Sequence, residues 1–160
     1  MPLLNKLIAF LLPYVPKSIV RKVSERYIAG ATLDEGMQCV RNLNAKGAMA
    51  TVDVLGEFID NLRQAERNTE YSCEVIRRIA KDGLDGNLSV KLTSLGLGID
   101  PAVCEANVRK ILNVARENGN MFVRMDMENS PYTDLTLDLY RKLRESRKAA
   151  GVPDADPAEP

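Results

Sequence analysis

Polar and charged side chains recur at fixed spacing in three short apolar segments of this chain. The residues whose types suit acid–base or electrostatic chemistry are Asp53, Glu57, Ser89, Lys91, Thr93, Arg124, Asp126 and Glu128. Side chains two positions apart point to the same face of a strand. Ser89, Lys91 and Thr93 therefore share one face, and Arg124, Asp126 and Glu128 share another. Asp53 and Glu57 lie at the corresponding level in and just after the first segment. Apolar helices could cover such charges only at a large desolvation cost. We therefore expect them to face a polar cavity.

The segments that carry these residues alternate with amphipathic helices. Thr32 and Glu35 form a capping box for a first helix, which ends at Gly47, and residues 48–55 are predicted to form a largely buried strand. The later elements are a helix over 66–82, a strand over 88–93, a helix from Asp100-Pro101, a strand over 121–127 and a helix from Ser130-Pro131. Asp53, Lys91 and Asp126 are predicted to occupy corresponding strand positions, since they recur about 35–38 residues apart.

Strands that alternate with helices indicate βαβ units and a parallel sheet. Either an open doubly wound sheet or part of a (βα)8 barrel fits. The nucleotide-binding fingerprints that favour the first are missing, and Gly96 with Gly98 is a weak signal. Charged strand residues favour the barrel, whose active sites lie at the carboxyl ends of its strands. The pattern leaves open whether the charges form a functional site or a bracing ion-pair network, such as Lys91 with Asp126.

The composition of the 160 residues excludes several classes of functional site. The chain has no His, which excludes His-based triads and His-ligated metal sites, and we predict no metal. The 22 basic residues balance 22 acidic ones, which argues against nucleic-acid binding. Cys39, Cys73 and Cys104 include no C-x-x-C pair, which excludes a zinc ribbon or a dithiol motif, and we expect buried thiols.

The two ends of the chain differ from its middle. Residues 1–30 carry an apolar run that is too short to span a membrane, followed by basic residues. Two interpretations stay open for this helical arm: it packs on the domain, or it lies on an anionic membrane surface. Residues 31–147 hold the three strand–helix units. Residues 148–160 are rich in Pro and acids, which predicts a disordered tail.

Three segments resemble the first three strand motifs of proline dehydrogenase. They are Thr51-Val-Asp-Val-Leu-Gly-Glu57, Ser89-Val-Lys-Leu-Thr-Ser-Leu-Gly-Leu97 and Phe122-Val-Arg-Met-Asp-Met-Glu-Asn-Ser-Pro-Tyr-Thr-Asp134. The arm, with Leu12-Pro-Tyr-Val-Pro-Lys17 and Arg26-Tyr-Ile-Ala-Gly30, resembles bacterial monofunctional members. The resemblance runs from about residue 3 to about residue 147, and it is specific because three motifs occur in the family's order and spacing.

The resemblance implies a (βα)8 barrel that binds FAD non-covalently and oxidises L-proline to Δ1-pyrroline-5-carboxylate, with a membrane quinone as the electron acceptor. By motif, Lys91 is similar to the Lys near the proline carboxylate and the flavin. Asp126 resembles the Asp that organises the site beneath substrate and cofactor. These two residues are the expected catalytic and cofactor-binding residues. Glu57 resembles the Glu that closes over bound substrate as a gate, while Asp53 has no assigned role.

The same resemblance sets expectations for the chain as a whole. A full barrel takes roughly 250 residues, and this chain supplies three of its eight strands. We therefore expect a truncated and inactive chain without most FAD contacts, whose third strand has an open edge that invites self-association. The expected location is the cytoplasm, with peripheral membrane contact through residues 1–30. A non-catalytic half-barrel that docks to a full-length subunit and a membrane-surface protein stay open as alternatives.

Overall fold

The structure, a computed structural model, describes residue 16, residues 28–56 and residues 59–149 of the chain. In these residues, four helices alternate with the strands of one three-stranded sheet. The elements are α1 Leu33–Asn44, β1 Ala50–Asp53, α2 Leu62–Lys81, β2 Gly86–Val90, α3 Pro101–Glu117, β3 Val123–Met125 and α4 Thr133–Ala149. The predicted α/β class is confirmed, as is the order of one helix followed by three strand–helix units.

The chain divides into two compact units, one up to Cys39 and one from Val40 onward. In the first unit, the predicted capping box at the start of α1 is confirmed. The Glu35 N–H donates to Thr32 Oγ1 at 3.3 Å, and the Thr32 N–H donates to Glu35 Oε2 at 3.2 Å. The second unit contains the sheet.

The sheet is parallel throughout, and β2 lies between β1 and β3. The middle strand is buried along nearly its whole length. In β1, by contrast, only Ala50 is buried, and Thr51 and Asp53 are exposed. The prediction of a largely buried first strand is therefore wrong. The reason is that β1 is an edge strand of the described sheet with one covered face, which produces alternating burial.

The helices α2 and α3 pack against each other, and α2 also packs on β2. Buried apolar side chains of these elements and of the loop after β2 include Cys73, Val75, Ile76, Ile79, Leu88, Val90, Leu92, Leu95, Cys104, Val108 and Ile111. Tyr71 lies four residues before Val75 at an apolar helical spacing, but it is exposed. The buried stripe includes Thr69 and Ser72 instead. Their hydroxyls donate to carbonyl oxygens one turn back, both at 2.8 Å. These hydrogen bonds offset the desolvation cost of burying the two polar side chains.

The start of α3 agrees with the sequence-based expectation, whereas the starts of α2 and α4 differ from it. Asp100 caps α3 as predicted, since its Oδ1 accepts from the Ala102 N–H at 2.9 Å. Helix α2 begins earlier than predicted because Asn61 Oδ1 accepts from the Gln64 N–H at 3.0 Å. The predicted start of the last helix instead forms a 3-10 turn over Ser130–Tyr132, and α4 follows it.

Several predictions fall wholly or largely outside the described residues: Glu57, the arm of residues 1–30 and the tail of residues 148–160. Helix α4 does continue through Ala149, two residues past the predicted boundary. Cys73 and Cys104 are buried as predicted, whereas Cys39 is partly exposed, and all three are free thiols. Across the described ranges, no helix is long and apolar enough to cross a membrane.

Candidate active site

Three charged residues mark the carboxyl ends of the three strands. Asp53 is the last residue of β1, while Lys91 and Asp126 directly follow β2 and β3. In the sheet register, Asp53 pairs with Ser89, and Ser89 pairs with Arg124. Lys91 and Asp126 therefore lie two residues farther along than the row that contains Asp53. The prediction that the three occupy corresponding positions is wrong for Asp53, because a count of residues does not fix strand register.

The predicted shared face of β2 and β3 is confirmed by side-chain contacts. Ser89 Oγ donates to Asp126 Oδ1 at 2.9 Å. Arg124 Nε donates to the same Oδ1 at 3.0 Å and to Ser89 Oγ at 3.2 Å. A serine, an arginine and an aspartate from two neighbouring strands thus form one hydrogen-bonded cluster.

Lys91 stands between two carboxylates. Its ammonium forms an ion pair with Asp53, and its Nζ lies 3.7 Å from Asp126 Oδ2. The three side chains are partly open to solvent, at 19% for Lys91, 36% for Asp53 and 27% for Asp126. The ion-pair network that the sequence left open is therefore present. Its partial exposure leaves the charges accessible to a small ligand.

The environment of Asp126 favours its ionised form. Burial by itself would raise the pKa of this carboxyl group. The hydrogen bond from Ser89 and the positive charges of Arg124 and Lys91 outweigh that effect and lower the pKa of Asp126 below its ordinary value. Asp126 is consequently an anion at neutral pH, suited to orient groups or balance charge.

Glu128 ties the loop after β3 to the loop after β2. Its Oε2 accepts from the Thr93 N–H at 2.8 Å, and its other oxygen accepts from the Thr93 hydroxyl. The alternation of side chains along the strands predicts that Glu128 and Thr93 each lie on a polar face. Their mutual contact was not predicted, because it depends on how the two loops fold.

Two helix asparagines hold the loop after β2 from the outer side. Asn68 Nδ2 in α2 donates to Ser94 O at 3.0 Å and to Gly56 O at 3.3 Å. Asn107 Nδ2 in α3 donates to Leu95 O at 3.0 Å. Sequence reasoning missed both residues, since a polar residue within an amphipathic helix gives no signal of a loop carbonyl nearby.

A cleft of about 410 Å³ opens beside this cluster. Its walls combine apolar and polar side chains: Ile59, Lys91, Thr93, Ile99, Met127, Glu128, Asn129 and Tyr132, with Gly98. Gly98 leaves room for the Tyr132 ring, because a Cβ at position 98 would lie 3.1 Å from the phenol oxygen. Among the described residues, no cluster of three or more metal-ligating side chains occurs.

The family model described as proline dehydrogenase matches residues 37–155 of this chain. This chain belongs to the proline dehydrogenase family. The match starts later than the predicted resemblance at residue 3 and extends past its predicted end at residue 147. The identification from three strand motifs is confirmed.

Curated relatives agree with this assignment. The chain is 34% identical over 129 residues to proline dehydrogenase 1 of Bacillus subtilis subsp. natto, which covers 81% of this chain and 42% of that protein. It is 36% identical over 124 residues to proline dehydrogenase 2 of Bacillus subtilis (strain 168), which covers 78% and 41%. The chain thus spans about two fifths of the length of the curated relatives that it matches.

A solved structure shows the same fold. Proline utilization A from Bdellovibrio bacteriovorus, inactivated by N-propargylglycine, matches with a TM-score of 0.72 at 24% sequence identity. The match covers 79% of this chain and 16% of that one. The arrangement of three parallel strands and their helices is therefore one that a proline utilization protein contains.

Proposed function

We propose that this chain forms the first three strand–helix units of a (βα)8 barrel and carries part of the active site of an FAD-dependent proline dehydrogenase. The proposed reaction oxidises L-proline to Δ1-pyrroline-5-carboxylate and passes the electrons on to a quinone. One observation carries the proposal: Lys91 and Asp126 lie side by side at the carboxyl ends of adjacent parallel strands, beside a cleft. Barrel enzymes place their catalytic groups at that rim.

The polar inner face of the sheet supports the barrel. Leu88 and Val90 lie on the apolar face of β2, whereas Ser89 and Lys91 lie on the opposite, polar face. The row formed by Asp53, Ser89 and Arg124 would require full desolvation if a helix layer covered it, as in a doubly wound sheet. In a barrel this face lines the interior and opens at the rim, where charges remain solvated.

Lys91 is the proposed partner of the substrate carboxylate. Its ammonium is a compact point charge, and L-proline presents a carboxylate of opposite sign. The pair that Lys91 forms with Asp53 is partly exposed, so it contributes little stability. We propose that the proline carboxylate displaces Asp53 from Lys91, while Asp126 stays held by Ser89 and Arg124.

The cleft fits a small substrate and part of a flat cofactor ring. Ligand pockets usually span roughly 300–1,000 Å³, and this one is near the lower limit. Ile99, Met127 and Tyr132 supply apolar surface for a ring, and Lys91 supplies charge. FAD, when bound, would accept the hydride removed from proline. Because a whole dinucleotide exceeds this cleft, we propose that most FAD contacts come from strands beyond the three described here.

The remaining predictions extend this proposal. Glu57 is proposed as the gate over bound substrate, and residues 1–30 as a cytoplasmic arm in peripheral contact with the inner membrane face, where a quinone would be met. We also propose self-association through the edge of β3 that pairs with no other described strand. Liposome flotation with and without residues 1–30 tests the arm, and sedimentation tests the self-association.

The first experiment is a visible absorption spectrum of the 160-residue chain after incubation with FAD and gel filtration. Retained flavin that L-proline bleaches would support a cofactor site within this chain. Absence of flavin would mean that the chain alone does not hold the cofactor.

A chimera then tests the site itself. This chain replaces the matching segment of proline dehydrogenase 1 from Bacillus subtilis subsp. natto, and proline-dependent dye reduction is measured. An active chimera that loses activity on Lys91→Met, while Lys91→Arg retains part of it, supports the proposed role. A folded, flavin-loaded chimera without activity would contradict it.

A further inference from the structure

Ser89 and Arg124 have no chemical role in the proposed reaction, yet both contact Asp126. Ser89 is only 1% exposed. Its hydroxyl donates to Asp126 Oδ1 at 2.9 Å, and Arg124 Nε donates both to that oxygen and to the hydroxyl. The three side chains close a triangle of hydrogen bonds across β2 and β3.

The two carboxylate oxygens of Asp126 have different partners. Oδ1 receives both donors, while Oδ2 lies 3.7 Å from Lys91 Nζ. A separation of 3.7 Å is longer than an ordinary hydrogen bond. The short contacts that orient the carboxylate are therefore those at Oδ1, and Oδ2 is directed towards Lys91 as a result.

We propose that Ser89 and Arg124 are positioning residues that hold Oδ1 of Asp126 and so keep Oδ2 directed at Lys91. The purpose of this arrangement rests on the proposed function, because a fixed carboxylate matters only if substrate and flavin bind beside it. The arrangement itself rests on the contacts above and can be tested without cofactor.

The charges around Asp126 come from all three strands. Lys91 and Arg124 favour its ionisation, and the carboxylate of Asp53 at the end of β1 pairs with Lys91. Glu128, two residues along, is engaged by Thr93. Without Arg124, a single lysine would stand between two carboxylates, so the ionised form of Asp126 would lose support.

The test is carboxyl-carbon NMR on the 160-residue chain with labelled aspartate, and Asp126→Asn assigns the signal. We expect Ser89→Ala and Arg124→Gln each to raise the pKa of Asp126 by roughly 0.5–1 unit. The Asp126 Hα–Hβ couplings should change from those of one rotamer to averaged values. Arg124→Lys should restore most of the pKa, because it keeps the charge, but not the single rotamer, because it lacks the planar Nε–H.

The matched control is Arg141→Gln. Arg141 carries the same charge but pairs with Asp138 at 3.1 Å on the exposed side of α4, so the pKa of Asp126 should stay within about 0.2 unit of its original value. Ser89→Ala removes a single oxygen atom and keeps the test available if Arg124→Gln does not fold.

Two outcomes would overturn the proposal: an unchanged pKa and rotamer of Asp126 in Ser89→Ala, or an equal shift in Arg141→Gln. Neither outcome depends on activity. If Asp126 responds as expected but the chain and the chimera bind no flavin, positioning stands and the proposed function fails.

Discussion

The two rims of the sheet use their polar groups differently. At the amino-terminal rim, Asn44 Nδ2 donates to Ala48 O at 2.9 Å and Asp85 O at 2.8 Å, and its Oδ1 accepts from the Asp85 N–H at 2.9 Å. Asp82 accepts from Arg78 Nε at 3.0 Å and from Arg41. At the carboxyl rim, Lys91 is instead shared by two acids beside an open cleft.

The difference teaches where function should be sought in this molecule. The amino-terminal contacts close loops on backbone atoms and on matched opposite charges, so they stabilise the fold. The contacts of Lys91 at the carboxyl rim join side chain to side chain beside the cleft, and a ligand of suitable charge can exchange with one of them. The comparison therefore predicts opposite effects for mutations at the two rims.

The largest effect is expected from a substitution at the carboxyl rim. Lys91→Met removes the ammonium, and we expect the Kd for L-proline to rise about 100-fold, as when one partner of a charge pair is truncated. Titration calorimetry on the flavin-loaded chimera measures it. The free energy of unfolding should change by less than about 1 kcal/mol. A loss of stability that matches the loss of binding would show that Lys91 serves as a brace.

The second prediction concerns a substitution at the amino-terminal rim. Asn44→Ala removes three hydrogen bonds to backbone groups, and we expect a loss of about 1–3 kcal/mol in the free energy of unfolding. Urea denaturation of the chain checks this, with Asn113→Ala on the exposed face of α3 as the control. The affinity of the chimera for L-proline should stay the same. A fall in affinity would contradict the assignment of binding to the carboxyl rim alone.

Much of this comparison was accessible from the sequence, and some was not. Apolar spacing and the cap at Asp100 predicted the element order, and alternation placed Lys91 and Asp126 on the polar faces. The register of the strands could not be predicted from the sequence. The expectation that Asp53 lies level with Lys91 was therefore wrong by two residues. The pairing of Glu128 with Thr93 and the anchoring of loops by Asn68 depend on loop conformation, which periodicity does not encode.

The third prediction concerns acid. The pKa of Asp82 is lowered, because hydrogen bonds and charge from Arg78 and Arg41 outweigh the burial that would raise it, and the pKa of Asp126 is lowered too. A folded-state pKa below the unfolded value of about 3.9 gives stability that is present above that pH and is lost as the pH falls through the folded value.

Both rims should therefore lose stability in acid. The urea midpoint of the wild-type chain should fall from about pH 4 downward, and Asp82→Asn and Asp126→Asn should each flatten that fall. Denaturation at a series of pH values between about 2 and 6 measures it. A variant with the full wild-type slope would show that its carboxyl group adds nothing to the pH dependence.

The smallest expected effect sharpens the proposed exchange at Lys91. Asp53→Asn removes the competing carboxylate, so L-proline should bind the chimera more tightly by about two- to fivefold, the value of a partly exposed pair. Stability should change by less than about 1 kcal/mol. Weaker binding would mean that Asp53 contacts the substrate instead of yielding its place.

The close approach of Gly98 and Tyr132 constrains how the cleft can evolve. A methyl group at position 98 would lie 3.1–3.4 Å from three atoms of the phenol ring, so the two positions share one limited volume. A larger residue at position 98 therefore either displaces the Tyr132 ring by a few tenths of an ångström or favours a smaller residue at position 132. Homologues should therefore vary these two sites together, and cleft size should change through paired substitutions.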